Sequence, residues 1–396
     1  MTLDGLSPRP RPSRRSSRRL GPSGGPVRGR VAIVGASVGQ GHDGAARELA
    51  RRLAASGMEV TIHDYLDALP VAVGRALRDL YAPTVQYLPG VFDGLFRGLE
   101  RPGPLRRLAG WTCGLARTRM ARWAAGADAV VSTYPLASQT LGDLRRDGRV
   151  PATSVTYLTD PAAHALWCHP DIDLHLTVTR ATAQDAARYG VTAQGAGPLC
   201  TPRSGRPGRR HTLRAELGIS PDTPVALLSA GSLGIGDVPG TVAAIRHHPQ
   251  AHAVVLCGRN DGLRRQLQGV ARVSPLGWRD DVADLMAAAD LLVHNAGGLS
   301  LTEALVAGLP AVTYLPIPGH GRANTAVLER AGVASWPRDP RQLAEVIEQV
   351  HRPTPAPRPL RLPSWPVDAD AAAIVAGVVE RAHAQVPGIG VRVSGF

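Results

Sequence analysis

Residues 294–310 read HNAGGLSLTEALVAGLP, and they combine small residues, a helix start and one carboxylate. Gly297 and Gly298 stand between an apolar strand and a helix that we expect to begin near Gly298 or Leu299. Helix N-termini carry partial positive charge and unpaired N–H groups, and glycines let a diphosphate approach them closely. Glu303 follows about one turn later, where a carboxylate can accept hydrogen bonds from a ribose diol. A tight turn and a carboxylate paired with the helix dipole would explain the same residues without a ligand.

Two further strand-loop-helix segments in the same half of the chain suit a nucleotide. Residues 227–237, LLSAGSLGIGD, run from a strand into a Gly/Ser loop, in which Ser232 is suited to phosphate oxygens. Trp278 and Arg279 follow another strand, where backbone groups can read a base edge. Three such segments in one domain are more specific than any one of them, so together they predict a nucleotide site.

A histidine follows a glycine-rich loop near the start of the ordered sequence, in GQGH, with His42 at its end. A hydroxyl is a poor nucleophile, and a neutral imidazole with a pKa near 6.5 can take its proton at pH 7. His42 is therefore a candidate general base. The alternative is a structural hydrogen bond at the start of a helix.

Three histidines and a cysteine lie close together in the segment 159–179: His164, Cys168, His169 and His175. Such a group raises the question of zinc. The spacing fits no zinc pattern, and the surrounding tryptophan and proline indicate loop packing, so we predict no metal site.

The elements that must position these residues follow an α/β pattern. A strand at 30–36, a helix at 43–56 and a strand at 57–65 form a β-loop-α-β unit, the opening of a parallel doubly wound sheet. Strands at 127–133 and 153–160 continue the pattern. Residues 66–126 differ, because they mix large apolar residues with repeated Arg and predict two or three amphipathic helices. These helices either pack on the sheet or present an interfacial surface to a bilayer.

We expect two Rossmann-like domains with a cleft between the carboxyl ends of their sheets. The last helix is expected to return to the first domain. The predicted divisions are a disordered basic tail over 1–29, a first domain over 30–199, a linker over 200–223, a second domain over 224–350, and a Pro-rich link with a closing helix over 351–396.

Composition restricts the function classes. The 45 basic residues are all Arg and the formal net charge is +13, but aromatic residues make up only 4%. The Arg bias is more simply a genomic bias than a nucleic-acid signal, so we predict no nucleic-acid partner. The tail is either an extension without a role or a weak attachment to an anionic membrane, at about 1 kcal/mol per Arg. A polar N-terminus and four scattered cysteines predict a cytoplasmic protein.

The motifs together resemble the two-domain GT-B glycosyltransferases of family 28. That family includes monogalactosyldiacylglycerol synthase and, more distantly, the lipid-II-forming N-acetylglucosaminyl transferase. The resemblance is carried by GASVGQGHDGAA at 35–46, TDPAAHALWCHPDIDLHLTVT at 159–179, SAGSLG at 229–234, the segment 276–312 and PIPGHGRANTAVLERAGVA at 316–334. The second motif is closer to the diacylglycerol-glycosylating branch than to the cell-wall branch, as is the block at 66–126.

The resemblance implies an inverting transfer of galactose or glucose from a UDP-sugar to a membrane lipid, diacylglycerol first, without a metal or other cofactor. It implies that the first domain binds the acceptor, the second binds the UDP-sugar, and the protein meets the inner face of the membrane peripherally. The implied catalytic residues are His42 and Asp160. The implied donor-binding residues are Ser232, Trp278, Arg279, Gly297, Gly298, Leu299, Glu303, His320 and Asn324, and the acceptor-side residues are Gly39, Gly41, His164 and Trp167.

The chain departs from the family at the loop that reads the sugar. The lipid synthases carry Pro-Gly-Gln-Glu followed by Asn, whereas His320 and Gly321 replace the Gln and Glu here and Asn324 remains. The donor sugar and the oligomeric state therefore stay open. Alternatives are a secondary-metabolite or cell-wall-lipid glycosyltransferase, a non-catalytic lipid- or nucleotide-binding protein, an NAD-dependent oxidoreductase and a UDP-sugar epimerase. The glycine spacing at 35–41 does not fit the dinucleotide pattern, and extra acid/base groups for epimerisation are not evident.

Overall fold

The computed structural model describes residues 18–21, 27–200, 205–352 and 370–384. These residues form two mainly parallel sheets covered by helices, which confirms the predicted GT-B class of two Rossmann-like domains. Strands such as β2 (Arg30–Gly35) are almost wholly buried. That burial explains their continuous apolar sequences, since parallel sheets are covered on both faces.

The first sheet has the strand order β1-β3-β2-β4-β5-β6-β7. All pairs are parallel except β1 with β3. Its strands are β1 (Arg18–Leu20), β2 (Arg30–Gly35), β3 (Glu59–Asp64), β4 (Ala129–Ser132), β5 (Thr153–Leu158), β6 (Leu174–Thr177) and β7 (Ala193–Gly195). Its helices are α1 (Gln40–Ala55), α2 (Tyr65–Ala68), α3 (Val71–Tyr87), α4 (Pro89–Glu100), α5 (Pro104–Ala124), α6 (Pro135–Arg146) and α7 (Arg180–Ala186).

The second sheet has the order β10-β9-β8-β11-β12 and is parallel throughout. Its strands are β8 (Val225–Ser229), β9 (His252–Leu256), β10 (Val273–Leu276), β11 (Leu291–His294) and β12 (Ala311–Thr313). Its helices are α8 (Arg209–Glu216), α9 (Val238–Arg246), α10 (Asp261–Leu267), α11 (Val282–Ala288), α12 (Leu299–Val306), α13 (His320–Arg330) and α14 (Pro340–His351).

Part of the predicted disordered tail is a strand. Arg18–Leu20 pairs antiparallel with β3 at the edge of the first sheet, and Arg19 forms an ion pair with Glu59. An edge strand leaves a row of N–H and C=O groups unpaired, and β1 satisfies those of β3. Residues 1–17 and 22–26 of the predicted tail lie outside the described residues.

The predicted linker contains helix α8, which belongs to the core of the second domain. Leu213 is buried there, and Arg214 is buried with its guanidinium bonded to Asp290 Oδ2 at 2.9 Å and to the Ala288 carbonyl at 2.8 Å. A buried charge requires such partners. The predicted linker thus includes a helix anchored by a buried, hydrogen-bonded guanidinium.

The last described helix, α15 (Ala371–Ala384), packs on the first domain. Ala371, Val375 and Val379 are buried in the same apolar cluster as residues of α1 and β2. Arg52 of α1 donates to Asp370 at 3.1 Å, just before α15 begins. The Pro-rich part of the predicted link, 353–369, lies outside the described residues.

The segment between β3 and β4 forms four helices with unequal burial. In α5, Cys113, Ala116 and Met120 are buried in one apolar cluster with residues of β2, β4 and α6, whereas α4 has no buried residue among those described. The segment therefore has one part packed in the core of the first domain and another part with exposed apolar side chains. Residues of α3, α4 and α5 also line the cleft between the domains.

Candidate functional site

A cavity of about 490 Å³ lies between the two domains, at the carboxyl ends of the strands. Open α/β sheets bind ligands at this edge. Ten of the predicted site residues line it: Gly39, Gly41, His42, Asp160, His164, Trp167, Gly297, Gly298, Leu299 and His320. The cavity therefore brings the acceptor-side residues of the first domain together with the α12 turn of the second.

His42 lies in the first turn of α1 and is partly buried in the wall of the cavity. Its Nδ1 atom lies 3.0 Å from the Thr159 hydroxyl, and its ring meets Tyr134 edge-on at 5.4 Å between centroids. Burial lowers the pKa of His42 below 6.5, and the negative charge of Asp160 opposes that shift. The imidazole is consequently neutral at pH 7, which is the form that accepts a proton.

Asp160 is held by Trp167, whose indole Nε1 donates to its Oδ2 atom at 3.0 Å. Trp167 is buried and its ring lies 5.7 Å from that of His42. This bond fixes a carboxylate near His42 without an ion pair to Arg. His164, also in the wall, accepts the Leu166 N–H at Nδ1, at 3.0 Å, and burial lowers its pKa.

A buried histidine closes the turn before α12. The Gly297 N–H donates to Nδ1 of the buried His294 at 3.0 Å in this structure, and the predicted contact of Gly297 with a diphosphate stays a prediction. Burial lowers the pKa of His294 to about 3, which keeps that nitrogen an acceptor. Gly297 has a φ of 70°, and an added Cβ would lie 3.3 Å from the Asn324 Cβ. Here glycine is needed for backbone conformation and close packing.

The N–H groups at the start of α12 lie at the cavity wall. Gly298 is the N-cap and Leu299 the first helical residue, and both line the cavity. The first N–H groups of a helix have no partners within the helix. The Leu299 side chain lies against α1 so closely that a Cβ on Gly44 would approach its Cδ2 to 2.8 Å. The two helix N-termini thus face each other across the cleft, which is an environment suited to an anion.

Glu303 lies in α12, directly after Thr302, which lines the cavity. Burial and then the negative charge of Glu303 raise the pKa of Cys200 to about 12. This places the Glu303 carboxylate close to the end of the first domain. Its predicted contact with a ribose stays a prediction.

The remaining predicted nucleotide residues lie on loops outside this cavity. Trp278 is about half exposed, and the Arg279 guanidinium binds Asp281 at 2.7 and 2.5 Å. Arg259, which sequence analysis missed, joins these loops: its N–H donates to the Ser232 carbonyl at 3.0 Å and its guanidinium lies 4.7 Å from the Trp278 ring. Arg259 follows Gly258 directly after a buried strand, and that position is a signal that sequence analysis could have used.

The altered sugar loop contacts the first domain. Asn324 is buried, its Oδ1 accepts the Ala162 N–H at 2.9 Å and its Nδ2 donates to the Ala296 carbonyl at 2.8 Å. Its amide therefore bridges the two domains in this structure. His320 faces the cavity, and its Nε2 lies 3.4 Å from the Tyr81 hydroxyl. Burial lowers the pKa of His320, and the negative charge of Asp160 opposes that shift.

Helices α3 and α4 connect the acceptor side to the donor loops. Gln86 Oε1 accepts the Gly236 N–H at 2.8 Å, and Asp93 Oδ1 accepts the Gly319 N–H at 3.0 Å. Both glycines belong to loops of the second domain that follow strands. Sequence analysis missed Gln86 and Asp93, because neither lies in a motif.

The outer face of α3, α4 and α5 is strongly apolar. Val91 and Trp111 are 54% and 61% exposed. The other exposed large apolar residues of this segment are Val71, Leu80, Tyr87, Leu88, Leu95 and Leu108. A contiguous exposed apolar surface marks a site of interaction with a membrane or another molecule. Among the described residues, no helix combines the length and apolar character needed to cross a bilayer.

The histidines that raised the question of zinc are packed into the first domain. The His169 N–H lies 3.4 Å from His175 Nε2, and His169 Nδ1 accepts the Asp171 N–H at 3.2 Å. Within the described ranges, no group of three or more His, Cys, Asp or Glu side chains could hold a metal ion.

Two family models match the chain, one in each half. The model for monogalactosyldiacylglycerol synthase matches residues 42–199, and the model for glycosyl transferases group 1 matches residues 237–352. A processive diacylglycerol beta-glucosyltransferase of Bacillus thuringiensis (strain Al Hakam) is 24% identical over 364 residues, which is 83% of this chain and 91% of the relative. The protein of that name from Bacillus cytotoxicus is 23% identical, over 80% of this chain and 84% of the relative.

Solved structures support the fold. Anabaena Alr3699/HepE in complex with UDP-glucose has a TM-score of 0.52 at 16% identity, covering 90% of this chain and 94% of that chain. Acinetobacter baumannii MurG has a TM-score of 0.51 at 18% identity, covering 90% and 95%. At these identities the likeness establishes the architecture of two facing Rossmann-like domains.

Proposed function

We propose that this chain, a GT-B glycosyltransferase similar to family 28, transfers galactose or glucose from a UDP-sugar to the hydroxyl of a diacylglycerol-type lipid. The observation that carries this proposal is the cavity in which His42 faces the N-terminus of α12 between apolar walls. The relatives' names indicate a diacylglycerol acceptor, and the two family models cover both halves of the cleft.

His42 acts as the general base. With Nδ1 engaged by the Thr159 hydroxyl, Nε2 is the nitrogen that takes the proton of the acceptor hydroxyl. The acceptor oxygen bonds to the anomeric carbon as the bond from that carbon to the diphosphate breaks, which inverts the configuration. Asp160 stabilises the imidazolium that forms, since its charge already favours the protonated form of His42.

The departing UDP gains negative charge, and backbone groups stabilise it. The N–H groups of Gly298 and Leu299, at the start of α12, belong to residues that line the cavity, and they carry the positive end of the helix dipole. These donors are fixed before the reaction, so they need no reorganisation as charge develops. We assign no step to a metal ion.

The nucleotide extends from the α12 turn toward the loops after β8 and β10. Ser232 and its loop cover the phosphates, Glu303 binds the ribose, and Trp278 with the backbone at Arg279 flanks the uracil. The stacking of Arg259 on Trp278 fixes that ring at the mouth of the site. His320 contacts the sugar from the cavity wall, whereas Asn324 holds the two domains together beside it.

The acceptor reaches the site from a membrane surface. The exposed apolar face of α3, α4 and α5 adjoins the cavity, because Leu95 and Leu108 belong to both. Exposed Arg side chains such as Arg101 and Arg107 accompany this face. Apolar side chains flanked by Arg suit peripheral contact with an anionic bilayer, which the basic N-terminal sequence would strengthen.

The direct test is sugar transfer to diacylglycerol in phosphatidylglycerol-containing vesicles, with UDP-galactose and UDP-glucose supplied separately. We expect a monohexosyl lipid of inverted anomeric configuration from one donor or both, with release of UDP. GDP-sugars serve as the matched control. Binding of UDP without transfer to diacylglycerol, but with transfer to another lipid or a soluble acceptor, would contradict the acceptor class and leave the donor class standing.

A further inference from the structure

One part of the cavity wall is apolar. It comes from α3, α4 and α5 and includes Leu77, Leu95, Leu99, Leu105, Leu108 and Ala109. Thr112 is a polar side chain of this wall, and its hydroxyl already donates to the Leu108 carbonyl at 3.0 Å. A hydroxyl-rich or charged group placed here would lose its hydrogen bonds to water without replacement, which is strongly unfavourable.

The same cavity is also lined by the polar groups His42 and Asp160 and by the α12 turn. An acceptor that presents a hydroxyl to His42 and extends between α3, α4 and α5 therefore meets apolar walls along the rest of its length. An alkyl chain satisfies both requirements. Such burial contributes about 0.8 kcal/mol per methylene, which is about a fourfold gain in affinity for each one.

The apolar part of the cavity wall reaches the protein surface. Leu95 and Leu108 line the cavity and are also 38% and 57% exposed, so the wall that they form reaches the outer face of α4 and α5. Val91 and Trp111 are exposed on the same two helices. A chain longer than the cavity can thus emerge at the apolar face rather than in water.

We propose that the space between α3, α4 and α5 is a binding subsite for one acyl chain of the acceptor, and that it measures chain length. This inference rests on the proposed function, and it adds where the lipid chain lies and how the chain is selected. Affinity rises with each methylene until the subsite is filled. Further methylenes add less, because they leave the subsite.

The test is calorimetric titration of the full chain, with UDP present, by monoacylglycerols of increasing acyl length below their micelle concentrations. Wild type is compared with Ala109→Phe, which fills the subsite, and with Leu105→Ala, which enlarges it. Thr118→Phe places the same aromatic ring on an exposed position of α5 outside the cavity. Thermal unfolding and UDP binding verify that each variant is folded.

We expect affinity to rise about fourfold per methylene and then level off, at a shorter chain for Ala109→Phe and a longer one for Leu105→Ala. Thr118→Phe should follow the wild-type profile. A flat profile in the wild type, or unchanged profiles in folded Ala109→Phe and Leu105→Ala, would overturn the subsite, even if sugar transfer to lipid is observed. Chain-length-dependent binding that shifts with these variants, but without sugar transfer to any lipid, would support the subsite and count against the proposed function.

Discussion

In the proposed enzyme, the two sides of the cleft bind their ligands by different means. The donor side offers mainly backbone, at the start of α12 and in the glycine-containing loop after β8, together with the Glu303 carboxylate. The acceptor side presents side chains of α3, α4 and α5, nearly all apolar where they line the cavity. A nucleotide diphosphate has a fixed charge and shape that backbone N–H groups can match, whereas a lipid chain requires only apolar volume. His42 lies where the two sides meet, and its proposed role is proton transfer rather than recognition of either ligand.

The largest effect is expected where the two sides meet. His42→Ala removes the base and should lower kcat by about 10²- to 10⁴-fold, the usual contribution of a positioned acid or base. UDP affinity should stay unchanged, since the donor side is read by other groups. Transfer kinetics and UDP titration measure the two effects. His211→Ala, at an exposed position in α8, is the control. Equal transfer by His42→Ala and wild type would show that proton transfer does not occur at this residue.

The second-largest effect is expected on the pH dependence of sugar transfer. Because burial lowers the pKa of His42 below 6.5, activity should be present at neutral pH and be lost as pH falls through that lowered pKa. Asp160 raises the pKa of His42, so Asp160→Asn should lower it further. The acid limb of kcat/KM should then move to lower pH, and the plateau should fall because the imidazolium loses its counter-charge. An acid limb that stays in place would separate Asp160 from the base.

A substitution at Asn324 distinguishes a structural role of this residue from a contact with the sugar donor. Asn324→Ala leaves the Ala162 N–H and the Ala296 carbonyl without their present partners, at a cost of about 1 to 3 kcal/mol of unfolding free energy. Chemical denaturation measures this loss. If stability is unchanged while the KM for the UDP-sugar rises, Asn324 is a donor contact rather than a bridge between domains.

The smallest effect is expected at Arg279. Its guanidinium is bound to Asp281 and partly exposed, so Arg279→Ala should change UDP affinity by less than about 1 kcal/mol. Trp278→Ala, in the same loop, is the matched comparison and should weaken UDP binding more. Titration calorimetry distinguishes them. A large loss from Arg279→Ala alone would mean that this side chain, rather than the backbone, reads the base.

Features that depend on neighbouring residues in the sequence could be predicted, whereas features that depend on contacts between distant residues could not. The fold class was readable because buried parallel strands and glycine loops recur locally at regular spacing. The strand at Arg18–Leu20 was missed, since its pairing with β3 depends on a distant edge and not on its own basic sequence. Helix α8 was missed for a related reason, because Arg214 is buried by a partner far along the chain, Asp290.

The same distinction applies to the candidate site. Several residues of local motifs, such as His42, Gly298 and Leu299, line one cavity. Thr159 and Arg259 were not predicted, because their roles depend on contacts across the tertiary structure. The bond from the Gly297 N–H to His294 was also not predicted, because the spacing does not reveal that the His294 ring accepts this N–H.

The most direct test of a UDP site formed by the start of α12 and the Glu303 carboxylate is calorimetric titration of the full chain with UDP, GDP and NAD, repeated with Glu303→Ala. We expect micromolar binding of UDP, much weaker binding of GDP and NAD, and loss of UDP binding in a folded Glu303→Ala variant. NAD binding without a UDP signal, or UDP binding that Glu303→Ala leaves intact, would contradict this site.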